Sequence, residues 1–154
     1  MIRFIATMIR LSLVPAFLLV LASPAAAGDC TIVDGSGRVV FDPDLGGFVG
    51  PVDLDGDGEA DATSTAFVLS LVPTEDGSLH AVTTHTFALT SGGAFTTLDH
   101  AVLSPTDTAG LYRLNSVLDI QSGASGKLVL HGEIHLIEGW ADADVHGRVC
   151  DLAP

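Results

Sequence analysis

The sequence predicts an all-β domain, either a single barrel or, as the alternative, a sandwich. Three observations lead there. Gly, Asp, Ser and Thr recur every several residues, short runs rich in Val, Leu, Phe and Thr lie between them, and no long stretch keeps the helical apolar period. In chain order the runs are residues 38–41, 65–72, 79–90, 94–102, 111–120, 127–137 and 140–150. The first, RVVF, is a brief β-branched run that stops at Asp42, and the second, TAFVLSLV, stops at Pro73. The third and fourth flank Ser91-Gly92-Gly93, the fifth follows Gly110, and the last two flank Glu138-Gly139. Seven such runs suit one barrel or sandwich. Residues 42–64, rich in Gly and Asp, read as one long irregular segment, and loops of that length are usually functional or organised by an ion.

The last hairpin is the most regular part. Taking Glu138-Gly139 as a two-residue turn, residues whose numbers sum to 277 face each other. Leu128, Leu130, Ile134 and Leu136 then share an apolar face with Ala141, Ala143, Val145 and Val149. The opposite face pairs His131, Glu133 and His135 with His146, Asp144 and Asp142, and sets Ile137 beside Trp140. Alternation this clean means one packed face and one polar face.

The 154 residues begin with a leader. Arg3 and Arg10 give a basic start, Leu11 to Ala22 form an apolar stretch, and Pro24-Ala25-Ala26-Ala27 supply small residues for cleavage. A membrane span needs about 20 apolar residues, and Pro15 interrupts this shorter run. Asp29 separates the small residues from Cys30, which argues against a lipid anchor. Residues 1–27 are therefore read as a signal peptide and 28–154 as one secreted or periplasmic domain, long enough to bury a core without metal. That domain holds four Lys and Arg against 19 Asp and Glu, a formal charge of −15, which makes nucleic acid and anionic membranes poor partners. Cys30 and Cys150, the only cysteines, are expected to pair in an oxidising compartment.

Two clusters of polar side chains have ligand chemistry. In DLDGDGEAD, Asp53, Asp55 and Asp57 alternate, Gly58 holds the sixth position and Asp61 the ninth, which is the spacing of a calcium loop. Glu59 at the seventh position offers a backbone carbonyl, while Ser64 stands where an EF-hand has its bidentate Glu. Five carboxylates in nine residues repel one another without a cation. Calcium is therefore the cofactor expected, bound by Asp53, Asp55, Asp57, Glu59 and Asp61, with an ion-free acidic turn as the alternative. The second cluster is the polar hairpin face, where His131, Glu133, His135 and His146 carry ligand types suited to zinc or copper. A solvated outer face is the favoured reading there, because polar strand faces are common.

Other patterns fail. SGASGK lacks the first Gly and the final Ser or Thr of a phosphate loop, and there is no G-x-S-x-G elbow. Asp99-His100 has the makings of half an acid–base pair but no nucleophile beside it. No catalytic constellation emerges, so the reading leans away from an enzyme.

FTTLDHAVLSP (95–105), YRLNSVLDIQSG (112–123), Gly126, Gly132, Gly139 and the closing GRVC (147–150) resemble the C-terminal half of a family of small bacterial secreted barrels. That family is related in fold to allene oxide cyclases and plant dirigent proteins. The resemblance implies an antiparallel barrel of eight strands. It transfers no active site, since no catalytic residue matches one by one, and the Ser122 to Gly126 segment is shorter than the family's. Function is then expected to be that of a calcium-binding barrel with a structural role or a small apolar ligand inside it. The alternative is an isomerase or cyclase acting in the barrel cavity. A hollow interior with convergent polar groups favours the enzyme, and a filled one the module.

Overall fold

The structure is a computed structural model and describes residues 29–152; the predicted signal peptide, residues 1–27, lies outside the described residues. Eight antiparallel strands follow one another around a closed barrel with each paired to the next: β1 (Cys30–Asp42), β2 (Gly47–Asp53), β3 (Ala62–Pro73), β4 (Leu79–Leu89), β5 (Ala94–Pro105), β6 (Leu111–Ser122), β7 (Ser125–His135) and β8 (Trp140–Cys150). β1 closes the ring on β8 in a register that sets Cys30 opposite Cys150. The two cysteines form a disulfide with their Cα atoms 4.0 Å apart. None of the described residues forms a helix long and apolar enough to cross a membrane. That finding and the disulfide are compatible with a secreted or periplasmic protein.

Two sequence expectations are corrected. Residues 42–64 are not one loop, because β2 runs through their middle. Its sequence, GFVGPVD, hides the strand signal behind Gly50 and Pro51. Gly50 is there for space: a Cβ would stand 2.2 Å from the Arg38 carbonyl oxygen. β1 likewise starts eight residues before the predicted Arg38, since Gly35-Ser36-Gly37 reads as a turn. In the barrel Gly35 lets the strands approach closely, and a Cβ would lie 2.1 Å from the Asp53 carbonyl oxygen.

The last hairpin keeps its predicted faces but not its predicted partners. Four residues, 136–139, separate β7 from β8, and facing numbers sum to 275, as in His135 with Trp140 and His131 with Asp144. The wider turn is held by the Gly139 N–H on the His135 carbonyl at 2.8 Å and by the Glu138 N–H on His135 Nδ1 at 3.1 Å. A slip of two residues preserves which face each side chain takes. Leu128, Val145 and Val149 accordingly lie in the core.

The interior is filled at one end. Val33, Val52, Ala62, Phe87, Phe95, Leu118, Leu128, Val145 and Val149 pack together beneath the disulfide, with Leu54 of the β2–β3 loop against them. Phe87 and Phe95 stack there with centroids 4.8 Å apart. A smaller cluster of Ala81, Ala101 and Leu103 lines the wall toward the other end. The small side chains on that wall leave the middle of the barrel open.

Candidate functional site

The space they leave is a cavity of about 120 Å³. Its wall is apolar apart from Ser64, Thr83 and His85; Ala81, Ala101, Leu130, Ile134 and Val145 are among the rest. It runs out to the surface at Val68, Leu71 and Leu136, which are 50 %, 44 % and 37 % exposed. β3 continues past the end of β2 in this region, because the β2–β3 register stops at Phe48 with Ala66. Residues 67–73 thus pair with β4 alone and form one lip of the mouth.

The one titratable group on the cavity wall belongs to a buried network. Strand pairing sets Thr83 opposite Asp99 and His85 opposite Thr97, and all four side chains point inward. Asp99 is wholly buried and accepts three hydrogen bonds. They come from the Thr83 hydroxyl at 2.9 Å, from the Thr97 hydroxyl and from His85 Nδ1. Three donors suit a carboxylate in its ionised, acceptor-only form, and a buried charge is tolerable only when so satisfied. With Nδ1 on Asp99, the other ring nitrogen of His85, Nε2, is left for the cavity. The ring also lies against Phe87, with centroids 5.7 Å apart and planes at 24°. Asp99 is therefore one half of an acid–base pair, but its partner is His85 and not His100, which faces outward and is exposed. A second buried polar group lies nearby: the Ser116 hydroxyl, on the inner face of β6 opposite Ala101 and Leu130, has no hydrogen-bond partner.

Around the acidic loop the structure brings together Asp53, Asp55 and Asp61, each with a carboxylate oxygen within 4.8 Å of the others. Asp57 and Glu59 stand outside that group of carboxylates and are exposed; Asp57 Oδ1 accepts the Glu59 N–H at 2.8 Å. Asp53 organises the turn. Its Oδ1 takes the N–H groups of Asp55 and Gly56, and its Oδ2 that of Gly58 at 2.8 Å. Asp61 Oδ2 takes the Leu54 N–H at 2.8 Å, closing the loop from the far side. The N–H groups of Gly58 and then Gly56 hold the Asp53 carboxyl below its ordinary value of 3.8. Gly58 adopts φ of +90°, the left-handed turn that the sixth loop position requires. Asp53 Oδ1 is filled by its two N–H donors, but Asp53 Oδ2, Asp55 Oδ1 and Asp61 Oδ2 accept one bond each and keep a lone pair, so the donor set still fits a hard cation such as calcium.

The hairpin histidines do not converge. His131 Nδ1 meets Asn115 at 2.9 Å, and His146 Nδ1 meets Asp34 at 2.7 Å. Glu133 is exposed opposite Asp142. His135, expected on a solvated face, is instead buried: Trp140 packs on it at 5.7 Å, and Gly110 of the β5–β6 connection closes over its ring. Among the described residues, the only side chains drawn close enough to share an ion are the three loop aspartates.

Comparison with family models, with curated proteins and with solved structures finds no match to this chain.

Proposed function

We propose that this protein is a secreted barrel that binds a small apolar ligand in its interior, with calcium fixing the β2–β3 loop. The observation that carries the ligand reading is the cavity itself. An apolar hollow with a few placed polar groups is the usual form of a small-molecule site. Its volume matches small guests, since apolar cavities of about 150 Å³ hold benzene. Ser64, Thr83 and His85 give such a guest a polar end to meet. The calcium reading is supported by the three converging carboxylates and by the way the loop seals the barrel. The Leu54 carbonyl accepts the Asp34 N–H at 3.1 Å, and the Asp61 carbonyl accepts the Thr90 N–H at 2.7 Å, tying the loop to β1 and to the β4–β5 turn.

Thermal melting with small aromatic guests and with calcium tests both parts. Benzene or toluene is expected to raise the melting temperature of the wild-type chain and to leave Ala101→Leu, which fills the cavity, unchanged. At 100 times its dissociation constant, calcium is expected to stabilise the fold by about 2.7 kcal/mol. Asp55→Asn combined with Asp61→Asn is expected to remove that gain. A guest effect that persists in Ala101→Leu refutes the cavity reading, and the absence of a calcium effect refutes the metal reading.

A further inference from the structure

We propose that His85 makes the cavity a proton-transfer site for small β,γ-unsaturated ketones, moving a proton from the α-carbon to the γ-carbon. This rests on the ligand-binding reading above. A cavity needing only to hold apolar guests is best lined with apolar residues, yet this one has a histidine on its wall, backed by a carboxylate with no solvent exposure. Replacing such a buried pair by hydrophobic residues is commonly neutral or stabilising, so stability alone does not explain it. The pair is arranged as acid–base chemistry requires. Asp99 accepts from Nδ1, which fixes the tautomer with its lone pair on Nε2, and Phe87 fixes the ring plane. Asp99 is a positioning residue, itself clamped by Thr83 and Thr97. Polar help for a carbonyl oxygen is at hand in Ser64. Its hydroxyl makes no hydrogen bond among the described residues, and it lies on the cavity wall opposite Phe87, beside His85 on the next strand.

The reaction balances without a cofactor. Nε2 takes the proton from the carbon between the carbonyl and the alkene, and the C–H electrons move into the dienolate. The negative charge collects on the carbonyl oxygen, where the Ser64 hydroxyl donates. Nε2–H then returns the proton to the γ-carbon, giving the conjugated ketone and the starting imidazole. No oxidant, reductant or water is consumed. The size of the cavity, about 120 Å³, limits the substrate to a single small ring or short chain.

The test uses 3-cyclohexen-1-one and the disulfide-bonded chain from Gly28 onward, with conversion to 2-cyclohexen-1-one followed by ultraviolet absorbance and binding by NMR. Conversion is expected to fall by roughly 10²–10⁴-fold in His85→Gln with binding kept. In Asp99→Asn, kcat is expected to fall while KM holds. Ala101→Leu, which leaves the pair intact, is expected to lose binding and conversion together. A measurement on the wild type alone covers the case of unfolded variants. In D₂O, part of the substrate's own hydrogen retained at the γ-carbon of the product is the expected result of transfer by a single base, and a wild-type chain that binds the ketone without converting it overturns the mechanism. Binding without conversion overturns the proposal and leaves the ligand reading standing; absence of binding overturns both. Equal conversion by a folded His85→Gln removes His85 from the chemistry.

Discussion

His85→Leu is expected to be far more damaging than its partial burial implies. The substitution leaves Asp99, which has no solvent exposure, with two hydroxyl donors and no imidazole. Removing one partner of a buried ionic pair costs about 3–5 kcal/mol, because the remaining charge is uncompensated. Asp99→Leu removes the charge but strands Nδ1 of His85 and frees two hydroxyls, at about 1–3 kcal/mol for each buried group left unpaired. The double variant removes the charge and the imidazole together but still leaves the Thr83 and Thr97 hydroxyls without their acceptor, so it is expected to be at least as stable as Asp99→Leu alone. Urea denaturation of the four proteins, read by circular dichroism, gives the cycle directly. The expected coupling is about 3 kcal/mol or more. Additive losses, or a cost below about 1 kcal/mol for His85→Leu alone, would show the pair to behave like an exposed contact and refute the reasoning.

Other outcomes follow from the same structure. Reducing the Cys30–Cys150 bond, which spans 120 positions, is expected to cost on the order of 4–5 kcal/mol in the chain-entropy model, measured by urea unfolding with and without reductant. The Asp53 carboxyl is held below 3.8 in the folded loop, so its contribution is complete above that pH and is lost as the pH falls through the lower folded value. The Gly58 and Gly56 amide resonances should therefore shift only in that acid range, and Asp53→Asn should abolish the shift. Gly58→Ala, forced to a φ of +90°, is expected to weaken calcium binding by calorimetry while leaving the barrel's circular dichroism unchanged.

How much was legible in the sequence depended on how local each signal was. β4 to β8 announce themselves because β-branched and aromatic residues alternate over eleven or twelve positions between glycine turns. β2 and the start of β1 do not, because Gly35 and Gly50 serve close strand approach while imitating turns, and Pro51 inside β2 reads as a strand breaker. In the last hairpin the faces were readable and the register was not. Faces depend on parity alone, whereas the register depends on a turn that His135 and Gly139 widen to four residues. The same contrast divides the candidate sites. The three loop aspartates lie within nine residues, so their spacing is a visible pattern. His85 and Asp99 sit 14 residues apart on different strands and meet through the β4–β5 register. A signal for them did exist. Odd positions from Ala81 to Phe87 and from Phe95 to Leu103 form the inward face of β4 and β5, and a histidine and an aspartate interrupt that face.

The central claim, a hollow barrel that receives a small apolar molecule, is tested most directly by methyl NMR of the wild-type chain titrated with 2-cyclohexen-1-one. Saturable shifts confined to Ala81, Ala101, Leu130, Ile134 and Val145, with Val33 and Val149 of the packed end unmoved, are the predicted result. Shifts absent from the cavity methyls, or confined to the exposed residues of the mouth, would contradict it.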